Sequence, residues 1–310
     1  MTVSEQRQAL ISILNRGAVT SLFQPIVSTL EERIVGFEAL SRGPSDSPLH
    51  SPVTLFAAAR HHGILTELEM LCRDRAVSRF CDLNLPGKLF LNVSPESLLE
   101  HQHYPGRTLE ILQRNGLKPD QVVIELTEQA PIEDLSLLRS ALHHYRDMGF
   151  SIALDDLGAG YSSLRLWSEL QPEFVKIDRH FIDGIHRDPV KREFVASILH
   201  MAKASRACVI AEGIEQPEEL AVLEDIGIDW VQGYLLGRPD SHPRVDEIQL
   251  GERIGQSPSS VVDDAPIHSL LLPIPGVPDD TKVQTVLDSF QQQPTLNTLA
   301  IINEQGHPVG

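Results

Sequence analysis

The sequence has few cysteines and no long apolar run. Its three cysteines, Cys72, Cys81 and Cys208, stand far apart, without the close spacing of a zinc site. We expect buried thiols in a reducing cytoplasm rather than a disulfide framework. No stretch approaches the roughly 18 apolar residues of a membrane span, and the N-terminal residues predict an amphipathic helix rather than a signal peptide.

Basic residues are also scarce. The chain has 26 Lys and Arg residues against 43 Asp and Glu residues, a formal net charge of −17. This balance disfavours broad electrostatic binding to a nucleic acid polymer or an anionic membrane. A small anionic ligand in a local pocket stays compatible with it.

Eight short segments have the composition of β-strands. Most are nearly continuous apolar runs, which is typical of strands covered on both faces. Helical patterns such as EDLSLLRSALHHYRDMG and PVKREFVASILHMAKAS lie between the later ones, so we expect parallel βα units. The eight segments are LFQPIVS, IVGFEAL, LFLNVS, VVIELTE, SIALDDL, FVKIDRH, CVIAEGI and WVQGYLL.

The first two strands break the parallel pattern. The segment STLEER between Val27 and Ile34 is too short for a parallel crossover, so these strands should form an antiparallel hairpin. Eight strands with this exception predict an α/β fold, a modified (β/α)₈ TIM barrel with an antiparallel first strand.

The composition changes after Pro239. Seven prolines fall between Pro239 and Pro278, which predicts a linker with little regular structure. Beyond it, DDTKVQTVLDSFQQQ predicts a helix and TLAIINEQGHPVG a strand entering a turn. We therefore expect a barrel over 1–242, a Pro-rich linker over 243–278 and a short α/β fragment over 279–310.

Polar residues recur where the predicted strands end, at intervals close to one βα repeat. Active sites of such barrels form at the C-terminal ends of the strands, so we expect these side chains to converge. Any one acid could merely cap the following helix, but a series in chain order favours a site. The residues are Glu38, Asn92, Glu125, Asp155, Asp156, Lys176, Glu212 and Gln232.

So many carboxylates at one mouth require a cation, because uncompensated buried charges cost several kcal/mol each. Oxygen ligands without Cys or His favour Mg²⁺ or Mn²⁺ over zinc. Asp155 beside Asp156 suits a bridge between two metals roughly 3.5–4 Å apart, an arrangement used in phosphodiester cleavage. Lys176 would add a fixed positive charge near the developing negative charge.

The same residues also resemble a known family. The motifs FEALSR, LNVS, ELTE, DDLGAGYSS, VKIDRHF, AEGIE and QGYLLGRP are similar to the successive signatures of EAL-domain cyclic-di-GMP phosphodiesterases, over about residues 5–242. The resemblance implies a modified TIM barrel that hydrolyses c-di-GMP to linear pGpG in bacterial second-messenger signalling, with two Mg²⁺ or Mn²⁺ ions per site. It also implies a homodimer.

The resemblance implies roles for individual residues. Glu38, Asn92, Glu125 and Asp155 would hold one metal, and Asp155, Asp156 and Glu212 the other. The implied catalytic group is Glu38, Lys176, Glu212 and Glu215. The implied substrate-binding residues are Gln24, Arg42 and Gln232, with Gln232 and Lys176 near the nucleophilic water, and Glu128 would brace the loop after Asp156. Leu157 and Ala159 replace the more common Phe and Thr of that loop.

The tail is similar to the first half of a CBS module, of which an intact pair often binds adenine nucleotides. No GG[DE]EF cyclase signature occurs in the sequence. An alternative function is a catalytically silent c-di-GMP receptor regulated through a C-terminal CBS region. That alternative expects a missing metal ligand, most tellingly at Glu38, Asp156 or Glu212, and all three are present.

Overall fold

A computed structural model gives the structure of the chain and describes residues 2–99, 105–126, 134–157, 163–245, 276–278, 281–282, 285–286 and 300–303. Eight strands close into a barrel in chain order. They are β1 Thr20–Ser28, β2 Arg33–Arg42, β3 Lys88–Val93, β4 Val122–Leu126, β5 Ser151–Leu157, β6 Phe174–Ile177, β7 Cys208–Ala211 and β8 Trp230–Val231.

Helices surround the barrel. They are α1 Val3–Arg16, α2 Pro52–His61, α3 Leu65–Asp82, α4 Pro95–Leu99, α5 Pro105–Asn115, α6 Leu135–Asp147, α7 Ser163–Leu170, α8 Arg179–Ile182, α9 Pro189–Ser205 and α10 Pro217–Ile226. Two single 3₁₀ turns, Pro119–Gln121 and Ile185–Arg187, complete the described connections. No helix in the described ranges has both the length and the apolarity to cross a lipid bilayer.

Strand β1 runs antiparallel to both of its neighbours, β2 and β8, whereas the other neighbouring pairs are parallel. This confirms the predicted barrel and its hairpin. The closing contact between β1 and β8 is short, with only two residue pairs, Val27 with Val231 and Ser28 with Trp230.

The core has two layers. The larger one lies between the strands and the surrounding helices, where Phe23, Phe37 and Phe80 pack with their ring centroids 6.1–6.5 Å apart. The second layer is a floor of side chains inside the barrel, one from each of β1 to β7. This floor is made of Ile26, Val35, Phe90, Val123, Ala153, Phe174 and Ile210.

The chain divides into two compact units, residues 1–253 and 254–310. In the second unit, β9 Gly276–Pro278 pairs in parallel with β10 Ala300–Ile302. The last three residues of the predicted linker therefore form a strand, because the backbone of Gly276–Pro278 finds a partner 24 residues later. The predicted CBS-like helix and final turn lie largely outside the described residues.

The cysteines are free, but only Cys72 is buried. Cys81 and Cys208 are half-buried, so the expectation of three buried thiols is correct for one of them. Burial raises the pKa of the Cys72 thiol to about 12, so this thiol stays protonated and unreactive at neutral pH.

Candidate active site and metal centre

The pleat of the strands places the predicted site residues on one level. Side chains two residues apart share a face, so in β3 to β7 the residue two positions after the floor residue points inward nearer the mouth. In β2 the step from Val35 to Glu38 is three residues, because the register with β1 shifts between Ile26 and Val27. Asn92 follows Phe90, Glu125 follows Val123, and the same step gives Asp155, Lys176 and Glu212. On the reversed β1 the step runs backwards, from Ile26 to Gln24. The reversal therefore brings Gln24 to the same level.

Lys176 lies at the centre of this level with its side chain 1% exposed. Its Nζ is 3.3 Å from Glu38 Oε2 and 3.5 Å from Asp155 Oδ1. It also contacts Glu125 Oε1 and Glu212 Oε1. Four carboxylates from four strand ends thus surround one ammonium group, which compensates only part of their charge.

Glu38 is held by neutral amides as well as by Lys176. Asn92 Nδ2 donates to Glu38 Oε1 over 2.9 Å, and Gln232 Nε2 donates to Glu38 Oε2 over 2.8 Å. Both carboxylate oxygens are therefore oriented by side chains from other strand ends. Such partners commonly fix the direction in which a carboxylate presents its remaining lone pairs to a metal.

Asp155 and Asp156 both face the mouth because the strand is irregular there. In a regular strand adjacent side chains point to opposite faces. Asp156 instead has φ of 53°, in the left-handed region, and the register between β5 and β6 shifts between Leu154 and Leu157. This local departure lets two consecutive carboxylates serve one site, and Asp tolerates the left-handed region better than most residues.

The carboxylates form two overlapping groups. One oxygen each from Glu38, Glu125 and Glu212 lies within 4.8 Å of the others, and the same holds for Asp155, Asp156 and Glu212. The second group matches the predicted second metal site. The first group contains Glu38 and Glu125, which are two of the four residues predicted to hold the first metal. Glu212 belongs to both groups.

The charges in the cluster shift one another's pKa values. Burial raises the pKa of Glu125 and Glu212 well above the usual value, opposed by Lys176. Burial, followed by Asp155 and Asp178, raises the pKa of Asp156 to about 6. Burial also acts on Glu38, but Lys176 and the amide donors outweigh it and lower its pKa.

The cluster has the properties of a divalent metal site. Its donors are oxygens, which suits Mg²⁺ and Mn²⁺. Glu125 Oε2 is buried without a hydrogen-bond partner among the described residues, an arrangement that an added cation would satisfy. The raised pKa values of Glu125 and Glu212 indicate the same deficit of positive charge.

Two cavities flank the cluster. The larger, about 410 Å³, opens between β2, α2 and α3 and is lined by Glu38, Arg42, Asn92 and Asp155 among others. The smaller, about 220 Å³, is lined by Gln24, Glu212, Glu215 and Gln232 among others. Glu38 borders both cavities, so a ligand bound across them would pass over the carboxylate cluster.

The predicted residues outside the cluster have separate places. Arg42 lines the larger cavity and donates from Nη1 to the Ser41 carbonyl over 2.9 Å. Glu215 lines the smaller cavity and forms an ion pair of 2.9 Å with Arg179. Glu128 and the loop that it was predicted to brace lie outside the described residues.

Four charged residues that line the cavities were not predicted, and one of them, Arg60 on α2, borders the larger cavity. Arg179, on α8, borders the smaller cavity. Glu69 and Arg73 form a buried pair in the wall of the larger cavity, with 3.7 Å between Oε2 and Nη2. A charged pair four residues apart on a helix with an otherwise apolar inner face was the available signal.

Comparison with known proteins settles the family. The sequence model of the EAL domain matches residues 4–239. The chain belongs to the EAL domain family. This confirms the predicted membership for the barrel.

Two curated proteins are similar to this chain over the barrel. The cyclic di-GMP phosphodiesterase PdeF of Escherichia coli strain K12 is 28% identical over 219 residues, which cover 70% of this chain and 29% of PdeF. The blue light- and temperature-regulated antirepressor BluF of the same organism is 29% identical over 217 residues, covering 70% of this chain and 53% of BluF. The chain thus spans well under two thirds of either relative.

A solved structure agrees with the fold. BlrP1 of Klebsiella pneumoniae, in a complex with calcium and c-di-GMP, is 34% identical with a TM-score of 0.67, and the match covers 72% of this chain and 56% of BlrP1. BlrP1 has also been solved with manganese and c-di-GMP.

Proposed function

We propose that the EAL barrel of this chain is a phosphodiesterase that hydrolyses c-di-GMP to linear pGpG with Mg²⁺ or Mn²⁺. The observation that carries the proposal is the convergence of Glu38, Glu125, Asp155, Asp156 and Glu212 around Lys176 at the barrel mouth. This donor set has too much negative charge for one ammonium group. Its two overlapping groups suit two ions.

In this proposal the metal ligands follow the predicted assignment. Glu38, Asn92, Glu125 and Asp155 would hold one ion, and Asp155, Asp156 and Glu212 would hold the other. Bound divalent ions would supply Lewis-acid polarisation of the phosphodiester and an activated water. Each of these side chains projects from a strand end, so the barrel fixes their spacing before any ion binds.

The remaining side chains would bind and orient the substrate. The two cavities would receive the two halves of the dinucleotide, with Arg42 beside one half and Glu215 with Arg179 beside the other. Lys176 would present a fixed positive charge to the phosphate as negative charge builds on it. Gln232 has a buried Oε1 without a hydrogen-bond partner among the described residues, which is free to orient a water.

The relatives support the metal and the substrate. PdeF is named for c-di-GMP hydrolysis, and BlrP1 holds c-di-GMP with calcium or manganese. The proposal further includes a cytoplasmic homodimer joined through the loop after Asp156, which lies outside the described residues. An adenine nucleotide would bind only to a complete CBS pair, and the tail of this chain resembles the first half of one CBS module.

A receptor function is the second candidate, because BluF, 29% identical to this chain over 217 residues, is named an antirepressor. The two functions differ in the need for intact metal ligands. In this chain the predicted ligands are present and converge, which favours hydrolysis.

The test is turnover of c-di-GMP in Mg²⁺ or Mn²⁺, followed by chromatography of the linear product. Wild type should produce pGpG, and Glu38→Ala should abolish turnover because it removes an oriented metal ligand. Glu193→Ala, which removes an exposed carboxylate from α9, is the matched control and should be unaffected. Binding of c-di-GMP without turnover in either metal would establish the receptor function instead.

A further inference from the structure

Gln24 is engaged at both ends of its amide by the protein itself. Its Nε2 donates to the carbonyl of Gly237 over 3.2 Å, and its Oε1 accepts from Gln232 Nε2 over 3.2 Å. The side chain is 8% exposed. The residue predicted to contact substrate is thus already committed to two internal hydrogen bonds.

These bonds form part of a directional relay. Gln232 Nε2 has two hydrogens, and it donates one to Gln24 Oε1 and one to Glu38 Oε2. Glu38 at one end and the Gly237 carbonyl at the other end can only accept. Both amides must therefore point their nitrogens as they do, since turning either of them would set oxygen against oxygen.

The Gly237 carbonyl, at the far end of the relay, belongs to a segment that closes the barrel next to the short contact between β1 and β8. Residues 237–241, here called the strap, lie along β1 beyond the short β1–β8 contact. Phe23 and Asp240 exchange backbone hydrogen bonds of 2.8 and 3.1 Å, and Arg79 Nη2 donates to the Ser241 carbonyl over 2.7 Å.

The strap approaches β1 so closely that a side chain is excluded. A Cβ added at Gly237 would lie 2.6 Å from Pro25 Cγ and 3.0 Å from its Cδ. Glycine at this position therefore sets the distance at which the Gly237 carbonyl meets Gln24.

We propose that Gln24 is a positioning residue, which transmits the placement of the strap through Gln232 to the metal ligand Glu38. The strap orients Gln24, Gln24 orients Gln232, and Gln232 fixes the Oε2 side of Glu38. This inference rests on the proposed function and assigns Gln24 a role other than substrate contact. Partners that orient a metal ligand typically contribute about 10- to 100-fold to metal affinity or activity.

Gln24→Leu tests the relay because it removes both amide groups and keeps the side-chain size. Calorimetric titration of the metal-free protein with Mn²⁺ should show affinity weakened about 10-fold or more, and kcat should fall while KM for c-di-GMP stays nearly constant. A raised KM with unchanged Mn²⁺ affinity would overturn the inference and support a direct contact between Gln24 and the substrate.

The strap is tested without touching the amides. Gly237→Ala should weaken Mn²⁺ binding by pushing the strap from Pro25, and adding Pro25→Ala should recover it. Gly106→Ala, where a Cβ has nothing within 4 Å, should leave Mn²⁺ affinity unchanged. Unaltered Mn²⁺ affinity in Gly237→Ala would contradict the role of the strap.

The same experiment separates this inference from the proposed function. A wild type that binds Mn²⁺ but does not hydrolyse c-di-GMP would overturn the phosphodiesterase, and the Mn²⁺ affinities would still decide the relay. A wild type that binds no Mn²⁺ would overturn both.

Discussion

Asp156 combines a left-handed backbone with a carboxylate that is costly to ionise. Its neighbour Asp155 carries the same charge, and burial adds to the cost. In the proposed enzyme this irregular backbone is needed, because it brings the carboxylates of Asp155 and Asp156 to one metal site. It should also have a measurable effect on the stability of the fold.

The expected effect is a pH-dependent difference in stability between Asp156→Asn and wild type, both measured without metal. The folded-state pKa of Asp156 is about 6, above its value of 3.8 when unperturbed, so ionisation of Asp156 destabilises the fold fully above pH 6, and this cost shrinks progressively as pH falls from 6 to 3.8. Asp156→Asn should be more stable than wild type to urea at pH 7.5, and the gap should narrow at pH 5. Asp147→Asn, at an exposed helix position, should show no such trend. A gap that widened towards pH 5 would contradict the assignment.

Lys176 should stabilise the metal-free protein strongly. Lys176→Met would leave Glu38, Glu125, Asp155 and Glu212 without the cation that they contact, and breaking such buried pairs costs about 3–5 kcal/mol. Urea unfolding should show this loss at pH 7.5, partly restored by Mn²⁺. Lys203→Met, at an exposed position of α9, is the control and should change stability by no more than about 0.5 kcal/mol. Equal stability of the two variants would contradict this prediction.

At this scale the sequence predicted which residues meet but not how they are held. The sequence placed Glu38, Asn92, Glu125, Lys176 and Glu212 at the mouth because each follows or ends a predicted strand. It did not predict the left-handed backbone at Asp156, nor that Gln24 faces Gly237 and Gln232. Those features depend on register shifts and on segments that meet over 200 residues apart in the chain, which local patterns do not encode.

The helices that follow the strands are stabilised chiefly by their ends and their buried faces. Helix α9 is capped at its N-terminus by Asp188, whose Oδ1 accepts from the Val190 and Lys191 backbone N–H groups over 2.9 and 3.2 Å. Its C-cap is Arg206 with φ of 61°, in the left-handed region that favours glycine. Its continuation is β7, which leads directly to Glu212.

Arg206→Gly should therefore stabilise the protein by about 0.5–1 kcal/mol, because glycine adopts the left-handed region without steric cost. Urea unfolding of the metal-free protein measures the effect. Gly227→Ala is the converse variant, since Gly227 ends α10 with φ of 93° and should be less stable by a similar amount. A loss of stability in Arg206→Gly would show that the arginine side chain contributes more than its backbone costs.

Most elements were predictable from the sequence. The predicted segment PVKREFVASILHMAKAS coincides with α9, and SIALDDL coincides with β5. Strand β8 was predicted as a longer run, but only Trp230–Val231 pair as a strand. The chain turns away from the sheet after Val231. The strand Gly276–Pro278 was missed because a Pro-rich composition favours a linker.

At the scale of the whole molecule, the strap sets where the barrel ends. A chain of residues 1–253 should show the same melting temperature by circular dichroism as the main transition of residues 1–310. A chain of residues 1–236 should melt lower, since it loses the backbone pairing of Phe23 with Asp240 and the Arg79 contact. Equal melting temperatures for the two truncations would contradict a structural role for the strap and favour a boundary before it.

The reversed first strand also decides where the polypeptide enters and leaves the barrel. Thr20 at the start of β1 pairs with Arg42 at the mouth end of β2, and β8 runs directly into Gln232 at the same mouth. In a wholly parallel barrel the entry would lie on the opposite face. Here β1 begins and β8 ends on the catalytic face, so the first and last strands of the barrel both terminate beside the substrate cavities.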